Sequence, residues 1–126
     1  MRVGIDLVSI DSVDDSIREH GARYLERIHT ERELRDCRTE QGPVSERLAA
    51  RFAAKEATIK VLRPQPDTAV PWRSIEVVSH SSGWVALELA GPAAALAEAA
   101  GLHDFALSIT HEAGHAAAVV IAEQST

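Results

Sequence analysis

The run from Pro43 to Leu62 limits what this chain can become more than any other segment. It is rich in alanine, carries a proline near its first turn and holds no glycine, so it reads as one long helix. The three prolines between Arg63 and Pro71 bring it to a stop. At about 100° per residue, Leu48, Phe52, Ile59 and Leu62 fall on one stripe. Ala49, Ala53 and Ala57 line another side, small enough to let a neighbour approach closely.

The flanking segments supply strands and shorter helices. Arg2 to Ile10 places Val3, Ile5 and Leu7 on one face and Val8 and Ile10 on the other, the pattern of a strand covered on both sides, with Asp6 as the exception. Ser12 to Ile28 has helical spacing interrupted near Gly21, and Thr30 with Glu33 forms a capping pattern ahead of a further short helix. Ser74 to Ser79 and Trp84 to Leu89 alternate around a turn at Gly83 and read as a hairpin. Pro92 to Ala100, closed by Gly101, is a short helix, and Phe105 to Ile109 and Ala116 to Ala122 are two more strands. No repeat or linker divides residues 1–126, so the expectation is a single α+β domain, a mostly antiparallel sheet packed around one long central helix.

Composition narrows the function classes. With two Phe, two Trp and one Tyr, the core must be built from Val, Ile, Leu and Ala, and self-association is expected to extend its burial. The single cysteine, Cys37, rules out an internal disulfide. With no charged leader ahead of a long apolar run, the expected location is cytoplasmic. No stretch approaches the roughly 20 apolar residues that span a bilayer. A net charge of −6 argues against nucleic-acid binding. The arginines nonetheless cluster, at Arg18, Arg23 and Arg27 and again at Arg47 and Arg51, which suits an acidic or phosphorylated partner.

Three constellations can carry chemistry. Asp6 interrupts an apolar strand, where a carboxylate needs a partner, a metal or a strand-end cap, and Gly4 beside it admits another group to the backbone. On the long helix Glu56 and Lys60 sit in the order of a surface ion pair, yet they flank the apolar stripe and Lys55 points nearly into it. Near the C-terminus, His111-Glu112-Ala113-Gly114-His115 spells H-E-x-x-H, the zinc-hydrolase signature. Its context opposes that reading: a strand pattern precedes it, Gly114 falls where the helix must run, and few residues remain for a third ligand. A turn with His111 at a strand end fits better.

Together the three resemble the holo-acyl-carrier-protein synthases, small phosphopantetheinyl transferases. That family carries a G-x-D motif, here Gly4-Ile5-Asp6, then an R-F-x-x-K-E-A-x-x-K helix, here Arg51 to Lys60. An S-x-[TS]-H turn follows, here Ser108-Ile109-Thr110-His111, leading into the Ala/Val strand. Glu26 to Leu34 also looks like the family's segment at that place, so the resemblance covers nearly the whole chain. It implies transfer of 4'-phosphopantetheine from coenzyme A to a serine of an apo acyl carrier protein, dependent on Mg2+. It also implies that Asp6 and Glu56 are metal ligands, that Lys60 and His111 contact the diphosphate, and that Arg51 and Lys55 bind phosphate or support the site. A homotrimer with sites at subunit interfaces is implied too, as is an acidic carrier meeting Arg18, Arg23 and Arg27.

The chain departs from the family pattern at three places. Ile10-Asp11-Ser12-Val13 stands where a basic residue is common, Arg63-Pro64-Gln65-Pro66-Asp67 where a G-T-G usually follows the helix, and Gly83-Trp84-Val85 where the hairpin usually has G-K-P. A specialised carrier, as in a secondary-metabolite pathway, is the expectation they raise. The competing classes are a zinc hydrolase on the H-E-x-x-H match and a non-catalytic module that binds coenzyme A or carrier.

Overall fold

Ser9 ends the first strand and starts the first helix in one step: its hydroxyl accepts from the Ser12 N–H, capping the helix N-terminus. The computed structural model describes residues 1–126. Strand β1 (Arg2–Ser9) leads into α1 (Ile10–His20), so Ile10 belongs to the helix, not to the strand as the alternation suggested. Gly21, at φ 56°, turns the chain where an L side chain is disfavoured, and α2 (Ala22–Ile28) follows. Thr30 and Glu33 form the expected capping box at the start of α3 (Glu31–Asp36).

Pro43 is not in the long helix. It lies in the short strand β3 (Gly42–Pro43), paired with β2 (Arg38–Thr39), and α4 begins at Ser45 and runs to Leu62. A 3-10 turn (Trp72–Ser74) then leads to the hairpin β4 (Ile75–Ser79) and β5 (Val85–Leu89), whose turn carries Gly83 at φ 97°. Helix α5 (Gly91–Ala99) precedes β6 (Leu102–Glu112) and β7 (His115–Gln124), both longer than their apolar runs indicated because the ladder between them continues into the polar ends.

The main sheet is antiparallel with strand order β1-β7-β6, and α4 lies across β1 and β7. The contact is made by the smallest side chains available. Ala53, Ala57 and Val61 pack on Ala118, Val120 and Ala122, all nearly fully buried, while Phe52 and Ile59 of the expected stripe are only half-buried. Alanine wins the deep side because the backbones approach closely: a Cβ on Gly4 would lie inside van der Waals distance of the Ala57 carbonyl oxygen. A second cluster, Val13, Cys37, Leu48, Ala49, Ala50 and Ala116, fixes α1 and the α3 end against the start of α4.

The opposite face of the sheet differs from the sequence expectation. Val3, Ile5 and Leu7 are 62%, 65% and 66% exposed, and Ile121 beside Val3 is 36% exposed. One layer covers the sheet from the α4 side only, so β1 presents an apolar row on an edge strand. No helix is long and apolar enough to cross a membrane.

Gly4→Ala is expected to lower unfolding stability by about 1–3 kcal/mol through overpacking against Ala57, read from urea denaturation midpoints. An unchanged midpoint would contradict the close approach.

Candidate active site

Side-chain alternation puts Gly4, Asp6 and Val8 on the α4 side of β1. Gly4 lets α4 come near enough for Glu56 and Lys60, one turn apart, to flank the strand beside Asp6. Lys60 does not pair with Glu56 as the helical spacing allowed. Its Nζ donates to the Ile5 carbonyl at 2.7 Å and lies 3.3 Å from Asp6 Oδ1. Glu56 makes no hydrogen bond or ion pair, and its pKa is pushed above the ordinary carboxylate range, by burial first and then by the Asp6 charge, with Lys60 pulling the other way.

Two carboxylates at one helix–strand contact, open to solvent on one side, form a half-built cation site. The donors are hard oxygens and only two in number. No cluster of three or more His, Cys, Asp or Glu ligands exists in the chain. That set fits a magnesium ion that keeps waters and substrate phosphate oxygens as its other ligands, and it does not fit a closed zinc site.

Lys55 lies on a different side of the helix and is fully buried. Its ammonium sits 2.8 Å from Glu33 Oε1, donates to the Trp72 carbonyl at 3.0 Å, and also donates to the Ile75 carbonyl. Burial pulls its pKa down while Glu33 pushes back; three acceptors around Nζ keep it charged. Burial alone would push Glu33 up as well. His29, the Lys55 ammonium and the Val77 N–H outweigh that and bring Glu33 from 4.5 to about 2. Of the two roles the resemblance offered for Lys55, burial leaves only support: it locks α4 in rotation against α3 and β4. Glu33 was legible as a cap, its Oε1 accepting from the Thr30 N–H, but not as the partner of Lys55.

Arg51 is 7% exposed. Its guanidinium donates to Ser79 Oγ at 2.7 Å and to the Arg47 carbonyl at 3.4 Å, while Nε has no partner. It therefore braces the hairpin and keeps one donor group unspent.

His111 lies apart. In the ladder Asp6 faces Ala118, which faces Ile109, whereas His111 faces Ala116 and Val8. The imidazole is on the outer strand, two strand spacings or about 10 Å across. It rests 3.6 Å from Glu46 in the first turn of α4, while Glu56 sits about 15 Å further along the helix. Within one chain the structure joins Asp6, Glu56 and Lys60 and leaves His111 outside. The H-E-x-x-H string is no helix: Ala113 and Gly114 take φ 52° and 79° in the turn between β6 and β7. This overturns the zinc-hydrolase alternative.

An antiparallel sheet wrapped on one alanine-lined helix, with a carboxylate from each at their contact, defines an α+β domain with a two-carboxylate site. The model of the 4'-phosphopantetheinyl transferase superfamily matches residues 2–120. The holo-[acyl-carrier-protein] synthases of Koribacter versatilis and Solibacter usitatus are 38% and 39% identical over 120 residues, which is 95% of this chain and of each relative. The ACPS–CoA complex of Chronobacterium ammoniagenes superposes with TM-score 0.85 at 35% identity, covering 98% of this chain and 97% of that one. The coenzyme A complex of the Helicobacter pylori holo-[acyl-carrier-protein] synthase gives TM-score 0.83 at 25% identity, over 97% of this chain and 100% of the other. The chain belongs to the holo-[acyl-carrier-protein] synthase family.

Removing Lys55 strands a buried carboxylate. Lys55→Met is expected to cost about 3–5 kcal/mol, and adding Glu33→Gln to restore part of it, both by urea denaturation. Because Glu33 titrates lower folded than unfolded, its contribution is present above pH 4.5 and lost as pH falls toward 2. The difference in stability between Lys55→Met and wild type is accordingly expected to shrink as pH falls through that window.

Proposed function

We propose that this protein transfers the 4'-phosphopantetheine group of coenzyme A to a serine hydroxyl of an apo acyl carrier protein. The serine oxygen bonds to the β-phosphorus, the bond from that phosphorus to the bridging diphosphate oxygen breaks, and adenosine 3',5'-bisphosphate leaves. The observation that carries this reading is the pair Asp6 and Glu56 beside Lys60, acidic enough in sum to need a cation and open enough to share it with a phosphate.

Mg2+ bound there supplies charge neutralisation on the diphosphate. Asp6 and Glu56 would hold it, Lys60 would move from Asp6 to the phosphate oxygens, and Glu56 would take the serine proton through a water. Arg51, held by Ser79 and the Arg47 carbonyl, supports the helix that carries Glu56. Most of the rate enhancement then comes from position and charge.

The single-chain geometry also bears on assembly. His111 is too far from its own Glu56, and the apolar row Val3, Ile5 and Leu7 has nothing over it. A homotrimer that covers the row and lets one subunit's His111 reach the next subunit's Asp6 and Glu56 accounts for both. Arg18, Arg23 and Arg27 are exposed on α1 and α2, where an acidic carrier can meet them, although Arg18 is partly engaged by Asp14 one turn earlier. The Arg63 to Asp67 loop and the exposed Trp84 fit a specialised carrier; equal turnover on a generic fatty-acid carrier and on such a carrier would remove that part of the reading.

Incubation with coenzyme A, Mg2+ and an apo acyl carrier protein is expected to add one phosphopantetheine to the carrier, detected by intact mass. Chelator or Asp6→Ala should abolish the shift, and Glu56→Gln should slow it by roughly a hundredfold or more. Retained transfer in both variants would overturn the site. Mixing Glu56→Gln chains with His111→Ala chains, each impaired alone, is expected to restore partial activity through hybrid interfaces. No recovery after verified subunit exchange would place His111 within its own chain's site.

A further inference from the structure

Several cations outside the candidate site are spoken for. Arg32 reaches Glu76 and Glu88, Lys55 holds Glu33, and Arg18 holds Asp14. Arg23, Arg35, Arg38 and Arg63 make no ion pair, and neither do two arginines that share one recess. Arg27, in the last turn of α2, and Arg73, in the 3-10 turn, are both exposed, and neither makes an ion pair or side-chain hydrogen bond. They face one recess of about 340 Å³, whose other walls are Ala69, Val70, Pro71 and Trp72. In a chain of net charge −6, a pocket whose only charged walls are two unpaired guanidiniums is a local reversal of sign.

The recess is also rigid. Trp72 packs on Phe52 of α4 at 5.2 Å between ring centroids, and its carbonyl is fixed by the buried Lys55 ammonium at 3.0 Å. Pro71 restricts the chain just before it, and Ser74 Oγ donates back to the Pro71 carbonyl at 2.6 Å. The lysine that sets the rotation of the catalytic helix therefore also sets the floor of the recess.

We propose that this recess is a docking subsite for the acidic carrier protein, with Arg73 as a specificity-determining residue. The inference rests on the transferase reading and extends it from α1 and α2 to the 3-10 turn. The occupant is a carboxylate side chain of the carrier held between Arg27 and Arg73, next to an aliphatic side chain that covers Val70 and the Trp72 edge. Charged groups on either side of an apolar floor suit that combination, and a free phosphate leaves the floor unused.

The test is direct binding of fluorescently labelled apo acyl carrier protein by anisotropy, paired with transfer kinetics. Arg73→Glu is expected to weaken carrier binding and raise the carrier KM by roughly tenfold, with kcat and the coenzyme A KM within about twofold of wild type. Arg73→Lys should recover part of the binding, and added salt should narrow the gap between wild type and Arg73→Glu. A thermal melt confirms that the variants fold. Unchanged carrier affinity in Arg73→Glu overturns the proposal, as does a raised coenzyme A KM with carrier affinity intact, which would make the recess a nucleotide phosphate site. Carrier binding that depends on Arg73 in a wild-type protein that transfers nothing would sustain the docking subsite and sink the transferase reading instead.

Discussion

The backbone of β1 meets the backbone of α4 at Gly4 and Ala57 with no side chain between them, and the site exists only because of that approach. A strand carboxylate and a helix carboxylate ordinarily stay a side-chain layer apart. Here the layer is missing, so the Asp6 charge reaches Glu56, and Lys60 is close enough to bond both the Ile5 carbonyl and Asp6. The alanines of α4 serve the same end. They bury little area each, and their value is the short distance between helix and sheet, with the aliphatic residues of β7 supplying the burial from the other side.

Close packing fixes the distance but not the rotation of α4, and a smooth alanine surface resists turning poorly. The buried pair of Lys55 and Glu33 supplies that restraint. Lys55 reaches out of the helix into a socket made by α3, the 3-10 turn and β4, where misrotation would leave an ammonium and a carboxylate unpaired in the interior. The cost of burying two charges is offset by the hydrogen bonds around them, and what is gained is one orientation of the adjacent Glu56. Sequence neighbours thus divide the work, with one side chain facing inward as anchor and the next facing the site.

Much of this was legible in the chain itself. The helix, the hairpin, the capping box at Thr30 and the inward direction of Lys55 follow from local period and propensity, and Asp6, Glu56 and Lys60 follow from the motifs. What escaped is non-local. Nothing in the spacing of Glu33 and Lys55 shows that they meet, since only the packing of α3 on β4 brings them together. His111 was identified by its motif, yet its separation from Asp6 depends on strand order. Val3, Ile5 and Leu7 were expected to be covered, and a single chain leaves them bare; the proposed trimer would restore the burial that their pattern implies.

The central claim is that Asp6 and Glu56 share one site, in which the Asp6 charge acts on Glu56. It is tested most directly by following the Glu56 side-chain carboxyl carbon by NMR across a pH titration, in wild type and in Asp6→Asn. The account predicts that Glu56 titrates above the usual carboxylate range in wild type. In Asp6→Asn it should drop part of the way back, with the share due to burial remaining. Identical Glu56 titration curves in the two proteins would mean that the carboxylates do not sense each other, and the shared cation site would fall with them.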